Sequence, residues 1–351
     1  DRPIEQAFAL PYIWYFDPAL LEWQTDAVFA SSWQVAARTD QLVNPGQFVT
    51  TTIAGEPVLL IRGKDNELRA FSNVCRHRAA TIETRETGTA SRLRCHYHGW
   101  SYNFQGDLVG APDCGGNEII RSGVCLPKFR VQEFGPLVFV KLNDNPFPEL
   151  DNLMDPLLER GTMERLAPLQ FADRKIYDLD CNWKVFIDNY ADGGYHIPTV
   201  HPELAKVVDM DQYQTHCYAY SHLQLSPLKA SKDGVSQVRS GEPAHYWYVY
   251  PNLMINAYEV TADINWVIPT GPESCRVYFD FYFPPGVDQS FVEKSVTVAD
   301  QVQAEDVGIA AQVQSNIKSR NFARGPYSPR REQGTYQFHS LLKDYYNRQF
   351  D

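Results

Sequence analysis

Two short pairs of cysteine and histidine carry the strongest chemical signal in the sequence. Cys75 and His77 are separated by one residue; after seventeen intervening residues come Cys95 and His98, separated by two. Thiolate and imidazole ligands on two such loops can enclose a structural zinc ion or a Rieske [2Fe–2S] cluster, in which two Cys bind one iron and two His bind the other. Zinc sites usually pair Cys with Cys and His with His, so the mixed order favours the cluster.

A second candidate site lies in the stretch NYADGGYHIPTVH, residues 189–201. A helix through VFIDNYADGGYH places Asp192 and His196 on one face, because they are four residues apart. Pro198 is expected to interrupt that helix, and the proline that follows His201 biases this histidine away from the α conformation. The sequence therefore predicts that His201 lies in a turn beyond the helix end, where its imidazole can converge with that of His196.

A third ligand is predicted on the long amphipathic helix at residues 290–319. Asp306 lies on its apolar stripe, where a carboxylate costs several kcal/mol unless it is paired or bound to a cation. Glu305 is turned about 100° around the helix and is expected to be solvated. Two histidines and one carboxylate match the ligands of non-haem Fe(II) oxygenases, so the predicted iron ligands are His196, His201 and Asp306. The stripe consists of Val302, Ile309, Ala310, Val313 and Ile317.

The elements that must position these residues fall into two groups. Short β-type runs separated by turns occupy residues 37–145, and the segment 141–156, rich in Pro, Asn and Asp, breaks both the helical and the strand periodicity. In the second half, strand-like runs are grouped ahead of the long helix, which predicts an α+β fold. We expect a lead-in at 1–36 that packs on the catalytic domain, an all-β domain at 37–148 and the catalytic domain at 149–351.

Composition excludes several classes of protein. Of the 351 residues, 44% are apolar and 13% aromatic, which is typical of a globular chain. The net charge of -11, without a polybasic block, disfavours nucleic acid as a partner. No apolar run reaches the roughly 18–20 residues that span a bilayer, and no signal peptide is recognisable, so we expect no membrane association and a cytoplasmic location. Seven cysteines, an odd number, argue against a disulfide framework.

The Cys/His motif, the stretch NYADGGYHIPTVH and the segment EDVGIAAQVQS occur in the order found in catalytic α subunits of Rieske non-haem iron oxygenases, the ring-hydroxylating oxygenase family. The sequence resembles this family over nearly its whole length. The resemblance implies a Rieske domain, a helix-grip catalytic domain and mononuclear iron at the three residues already chosen. It also implies O₂ as co-substrate, NAD(P)H electrons delivered by a flavin and iron–sulfur reductase or a ferredoxin, and a head-to-tail homotrimer in which one subunit's cluster serves its neighbour's iron.

The resemblance also assigns a role to an acid ahead of the first iron histidine, which bridges to a cluster histidine of the adjacent subunit. The matching residue is Asp192, whose implied role is an inter-subunit electron relay. Many members place this acid three residues before the histidine, where this chain has Gly193. The DGGYH pattern is similar to choline monooxygenase-like members, and Gly193 and Gly194 can absorb the register change as a bulge. Asp188 is the fallback bridge.

The segment YPNLMINAYEVTADINWVIPTGP is also similar to choline monooxygenase-like members. This resemblance implies that the substrate is a small quaternary ammonium compound of the choline or betaine type, which is oxidised or N-demethylated. Such a cation binds to aromatic faces, with or without an acid. The candidate pocket residues are Tyr246, Tyr248 and Tyr258, with Glu259 nearby, although the tyrosines could equally be ordinary sheet packing.

Two alternatives remain open. In the first, the substrate is an aromatic acid that is hydroxylated or demethylated, and the pocket then needs Arg or Lys to pair with its carboxylate. In the second, the chain is a non-enzymatic electron carrier or a zinc-stabilised binding module whose second domain has lost its iron. The presence of all three predicted iron ligands disfavours the second alternative.

Overall fold

The computed structural model describes residues 2–227 and 242–348, and the chain divides into two compact units. One unit is Gln24–Asp151, which we call the β unit. The other joins Asp1–Trp23 to Asn152–Asp351 and is called the catalytic unit.

Residues 2–23 pack against the C-terminal part of the catalytic unit. They contain 3₁₀ turns at Ile4–Gln6 and Tyr12–Tyr15 and lead into helix α1 (Pro18–Gln24). The rings of Trp14, Trp23 and Tyr346 form an edge-to-face cluster with centroids 5.2–5.9 Å apart. Aromatic packing of this kind fixes the lead-in on the catalytic unit.

The structure differs from the sequence prediction at the first boundary, which lies after Trp23 rather than after residue 36. Residues 24–36 belong to the β unit because their polar groups are satisfied there. The carbonyl of Ala30 accepts from the N–H of Leu142, and the hydroxyl of Ser31 accepts from the side-chain amides of Asn143 and Asn145. The second boundary, after Asp151, falls inside the Pro- and Asn-rich segment.

The β unit contains two antiparallel sheets. The larger has the strand order β1-β10-β9-β4-β3-β2-β5, and the smaller has the order β6-β7-β8. A short helix, α2 (Glu118–Arg121), and 3₁₀ and π-helical turns at Thr39–Gln41 and Thr25–Phe29 complete it. The strands are β1 (Gln34–Arg38), β2 (Gln47–Ile53), β3 (Glu56–Arg62), β4 (Leu68–Ser72), β5 (Thr87–Thr89), β6 (Leu93–Arg94), β7 (Ser101–Tyr102), β8 (Leu108–Gly110), β9 (Lys128–Phe134) and β10 (Leu137–Lys141).

In its described residues the catalytic unit contains one antiparallel sheet, in the order β11-β17-β16-β15-β14-β13-β12. Its long neighbouring strands pair residue by residue, Ala262 with Tyr282 and Trp266 with Tyr278 for example. The strands are β11 (Gln170–Leu179), β12 (Gln214–Cys217), β13 (Ser221–Ser226), β14 (Ala244–Val249), β15 (Leu253–Ala257), β16 (Ala262–Gly271) and β17 (Ser274–Phe283).

Helices cover this sheet and give the predicted helix-grip arrangement. Apolar residues of the long helix α8, Val292 and Val296, pack on Phe281 and Phe283 of β17. Among the residues that the structure describes, the helices after α2 are α3 (Leu150–Glu159), α4 (Thr162–Leu166), α5 (Trp183–Tyr190), α6 (Ile197–Val200), α7 (Pro202–Val207), α8 (Gln289–Asn316) and α9 (Gln333–Asn347). Over the described ranges, no helix is both long and apolar enough to cross a membrane.

Candidate active site

The two Cys/His loops of the β unit have the same backbone hydrogen bonds. In each loop the N–H of the cysteine donates to the carbonyl five residues later, and the cysteine carbonyl accepts from the N–H four residues later. The fourth residue after each cysteine has a positive φ, 57° at Ala79 and 73° at Gly99, which turns the chain back on itself. The matching backbone presents Cys75 and Cys95 in the same way.

The four predicted cluster residues meet at one place. Cys75 and Cys95 are buried among apolar side chains, and Nδ1 of His77 lies 3.2 Å from Nδ1 of His98. Two nitrogens bound to one tetrahedral metal at about 2.1 Å lie about 3.4 Å apart, so this spacing fits two ligands of one iron. The donor set and its geometry therefore fit a Rieske cluster, and the assignment of these four ligands remains a prediction. The indole of Trp100 stacks on His77 at 4.8 Å and covers that ring.

Tyr102 is a contact of the cluster loop that sequence reasoning missed. Its Oη lies 3.3 Å from Sγ of Cys75 and accepts from the N–H of Arg76 at 3.0 Å. Burial and the neighbouring Cys75 raise the pKa of Tyr102, so its hydroxyl keeps its proton. The hydroxyl can therefore donate to a metal-bound thiolate at position 75.

In the catalytic unit, the three predicted iron residues come together from different elements. His196 precedes α6, His201 lies between α6 and α7, and Asp306 belongs to α8. Their candidate ligand atoms all lie within 4.8 Å of one another. Oδ1 of Asp306 is 3.0 Å from Nε2 of His201 and 3.8 Å from Nε2 of His196. Two imidazoles and a carboxylate at this spacing fit one iron ion with open positions, and their assignment as its ligands remains a prediction.

The helix predicted through Asp192 and His196 is wrong. Helix α5 ends at Tyr190, and the chain turns at Gly193 and Gly194, which have φ values of 70° and 68°. Two successive residues at positive φ cannot continue a right-handed helix. Asp192 still reaches His196, because its Oδ2 lies 2.7 Å from Nδ1 of the ring and accepts the backbone N–H of His196 at 3.0 Å.

Pro198 and Pro202 each lie at the start of a short helix. Pro198 does not interrupt a helix, since it occupies the first turn of α6, where its missing N–H is not needed. His201, with φ -118° and ψ 72°, lies outside the helical conformation between α6 and α7, which confirms the prediction that it lies in a turn beyond a helix end. A cluster of Ile197, Leu204 and Val207 anchors the two short helices, and His201 is only 2% exposed.

Gly193 has a steric reason to be glycine. A Cβ at this position would lie 2.1 Å from the carbonyl oxygen of Arg331, so no acid fits at three residues before His196. Asp192 takes up the contact with the histidine instead. The fallback, Asp188, is bonded elsewhere: its carboxylate accepts from Oη of Tyr15 at 2.5 Å and lies 2.8 Å from Nε2 of His339. The electron-relay role of Asp192 remains a prediction.

Glu305 was expected to be solvated, and this expectation is wrong. Its Oε2 lies 2.6 Å from Nδ1 of His201, because the loop before α7 brings that ring beside α8. Burial lowers the pKa of His201, but the carboxylates of Asp306 and Glu305 outweigh it and raise the pKa overall. Asn189 was also missed; its Nδ2 donates to Oδ1 of Asp306 at 3.2 Å.

A cavity of about 130 Å³ adjoins the three iron-site residues. Two predicted pocket residues, Tyr246 and Tyr258, line it and contact each other edge to face at 6.0 Å. Tyr190 and Tyr213 also line it, and burial raises the pKa of both, so their phenols stay neutral.

The other two predicted pocket residues are not part of this lining. Tyr248 lies on the same strand parity as Tyr246, but Phe338 of helix α9 covers it at 5.6 Å. The ring of His222 also stacks on it, at 5.0 Å. Glu259 is exposed in the turn between β15 and β16. The pattern of alternation identified the face of the strand correctly but could not show which helix covers each position.

The buried acid of the cavity is Asp263 on β16, which sequence reasoning missed. It is 7% exposed, and its Oδ2 accepts from Nδ2 of Asn256 and Nδ2 of Asn265, both at 2.7 Å. Asp263 and Asn265 are two polar residues on one parity of an otherwise apolar strand, a signal that could have found them. Within the described chain, no Lys or Arg lines this cavity.

Comparison with known proteins finds a match for each of the two domains. Residues 32–130 match the Rieske [2Fe–2S] domain, and residues 166–348 match the catalytic domain of the ring hydroxylating alpha subunit. The chloroplastic choline monooxygenase of Arabidopsis thaliana is 34% identical over 97% of this chain and 83% of its own length. The carnitine monooxygenase oxygenase subunit of Escherichia coli strain K12 is 28% identical over 96% of this chain and 94% of its own length.

A solved structure is similar to this chain over nearly its whole length. A quaternary ammonium Rieske monooxygenase, whose structure is described as giving insights into carnitine oxidation and inter-subunit electron transfer, superimposes with a TM-score of 0.85. It is 25% identical and covers 97% of this chain and 96% of its own. A matched Rieske domain, a matched catalytic domain and full-length relatives together identify an enzyme that carries a [2Fe–2S] cluster and a mononuclear iron, and the chain belongs to the Rieske non-haem iron oxygenases.

Proposed function

We propose that this enzyme uses O₂ to oxidise a small quaternary ammonium compound of the choline or betaine type, by hydroxylation or by N-demethylation. The observation that carries the proposal is the combination of tyrosine rings and a buried carboxylate in the cavity beside the iron-site residues. A methylated ammonium ion is attracted to the faces of aromatic rings and to a negative charge, and both attractions are strongest where water is excluded.

The charge of the cavity favours a cation over an aromatic acid. Asp263 and Asp306 both line it, whereas the described lining contains neither Lys nor Arg. An aromatic acid, which carries a carboxylate and no positive charge, lacks the basic partner that it needs in this cavity. The relatives also support a quaternary ammonium substrate, since they are named as choline and carnitine monooxygenases.

We propose that Cys75, His77, Cys95 and His98 bind the cluster, and that His196, His201 and Asp306 bind the mononuclear iron. The cluster supplies single electrons, and the iron supplies the site at which O₂ is activated. Asp192 and Glu305 hold Nδ1 of His196 and of His201, which leaves Nε2 of each ring for the metal. The electron-carrier alternative is disfavoured because the three candidate iron residues converge.

The assembly and partners are also proposals. We infer a head-to-tail homotrimer in which Asp192 relays electrons from a neighbour's cluster, and a separate reductase or ferredoxin that draws on NAD(P)H. A relative that is named as an oxygenase subunit and a structure described in terms of inter-subunit electron transfer support this inference. The cytoplasmic location stays a prediction from sequence.

A single turnover tests the proposed function without the reductase. The purified protein is reduced chemically, exposed to O₂ with a mixed panel of choline, betaines, carnitine and simple aromatic acids, and the products are identified by mass spectrometry. We expect an oxidised or demethylated quaternary ammonium product and no oxidised aromatic acid. Product from an aromatic acid alone would overturn the proposal.

A further inference from the structure

Two polar atoms at the cavity have no hydrogen-bond partner in the part of the chain that the structure describes. They are Nε2 of Gln303 and Oδ1 of Asn265. Both residues line the cavity beside the iron-site residues, and they are 5% and 1% exposed. A buried amide group that lacks a partner is costly, so these two groups call for a polar ligand.

The orientation of the Asn265 amide is fixed by its neighbour. Its Nδ2 faces Oδ2 of Asp263 at 2.7 Å, and an ionised carboxylate only accepts hydrogen bonds. The NH₂ group of Asn265 must therefore face Asp263. The remaining atom, Oδ1, is a carbonyl oxygen that accepts a hydrogen bond and repels an anion.

Gln303 is close to the reaction centre along helix α8. It precedes Asp306 by three residues, which places the two side chains as neighbours on one side of the helix. A glutamine amide supplies both donors and an acceptor. A ligand group between Gln303 and Asn265 must donate to the Asn265 carbonyl, and it can accept from the Gln303 NH₂ group.

We propose that Asn265 and Gln303 determine specificity by binding a hydroxyl group of the substrate. A hydroxyl donates to Oδ1 of Asn265 and accepts from Gln303 through one oxygen, whereas a carboxylate has no proton for Asn265. The ammonium group then lies near Asp263, the carboxylate that Asn265 holds in place. This inference rests on the proposed function, and it narrows the substrate to a quaternary ammonium alcohol.

The test is equilibrium binding of two cations that differ only in the hydroxyl, choline and ethyltrimethylammonium. Their Kd values are measured by calorimetry on the anaerobic protein with its cluster and iron. Sites that pair with a substrate hydroxyl discriminate strongly against analogues that lack it, so we expect choline to bind at least about 10-fold more tightly. Gln303→Met, which keeps the length of the side chain, should lower this ratio several-fold, because the hydroxyl then keeps only its bond to Asn265.

The matched control is Gln301→Met, an exposed glutamine on the same helix, which should keep the wild-type ratio. Iron content and circular dichroism confirm that both variants are folded and loaded. Equal Kd values for the two cations in the wild-type protein overturn the inference and leave the proposed function intact; so does a ratio unchanged in Gln303→Met. If neither cation binds the wild-type protein, the inference fails, and the proposed function fails with it when the single-turnover panel also yields no product from a betaine or carnitine.

Discussion

Nδ1 of His201 lies 2.6 Å from Oε2 of Glu305, and Nδ1 of His196 lies 2.7 Å from Oδ2 of Asp192. Each of the two histidines thus has a carboxylate on the ring nitrogen that faces away from Asp306. A carboxylate in this position fixes the tautomer and raises the basicity of the other nitrogen, which prepares each Nε2 to bind a metal.

The first prediction concerns Glu305. Glu305→Gln removes the negative charge beside His201 while it keeps the shape of the side chain. We expect the affinity for Fe(II) to fall about 10- to 100-fold, as is common when such a supporting carboxylate is lost. The measurement is Fe(II) binding to protein stripped of its mononuclear iron. Glu293→Gln, at an exposed site on the same helix, is the control, and equal affinity in all three proteins would contradict this role.

The second prediction concerns Asp192, which contacts His196 through one oxygen and accepts two backbone N–H groups, those of Tyr195 and His196. With Fe(II) supplied in excess, so that both metal sites stay filled, Asp192→Asn should slow turnover at least about 100-fold, because the electron path to the iron is broken. Steady-state rates and iron content decide the outcome. The exposed Asp211→Asn serves as the control, and a variant of Asp192 with a near-normal rate would show that the electrons take another path.

Much of the site could be predicted because metal ligands are constrained in type and spacing. The two Cys/His pairs, both candidate iron histidines and Asp306 were predicted in this way, and the structure brings each set together. Glu305 was missed because its partner, His201, comes from a loop whose path depends on tertiary packing. The periodicity of a helix predicts which of its faces is buried, but it cannot predict which residues of other elements contact the remaining positions.

The lining of the cavity was harder to predict. Tyr246 and Tyr248 share one face of β14, yet only Tyr246 reaches the cavity, because Phe338 of α9 packs on Tyr248. Neither α9 nor its position over the sheet was predicted from the sequence pattern. Helix α8 also departs from the predicted pattern. Gln303 is polar but buried, whereas Val313, which belongs to the predicted apolar stripe, is 43% exposed.

The third prediction concerns Asp263 and the charge of the substrate. Choline and its uncharged carbon analogue, 3,3-dimethylbutan-1-ol, have the same shape, so their affinities differ only through the positive charge. We expect the wild-type protein to prefer choline, and Asp263→Asn to reduce this preference at least about 10-fold, because one buried charge interaction is lost. Calorimetric Kd values measure it. If the preference for choline survives unchanged in Asp263→Asn, the carboxylate does not recognise the cation.

The fourth prediction concerns Tyr102, whose hydroxyl lies 3.3 Å from the sulfur of Cys75. Hydrogen bonds to the sulfurs raise the potential of an iron–sulfur cluster. Tyr102→Phe should therefore lower the potential by a few tens of millivolts, since one hydrogen bond contributes about 1 kcal/mol and 59 mV corresponds to a tenfold change in a one-electron equilibrium. Protein-film voltammetry measures the shift, and a potential equal to that of the wild type would contradict the role of the hydroxyl.

The iron content of His201→Ala tests the central assignment, two separate metal sites of which one performs the oxygen chemistry. The wild-type protein should contain about three iron atoms per chain, two in the cluster and one held by His196, His201 and Asp306. His201→Ala should contain about two, with the absorption and paramagnetic resonance spectra of the cluster unchanged and substrate oxidation abolished. Loss of the cluster together with the single iron, or retention of all three irons with full activity, would contradict the assignment.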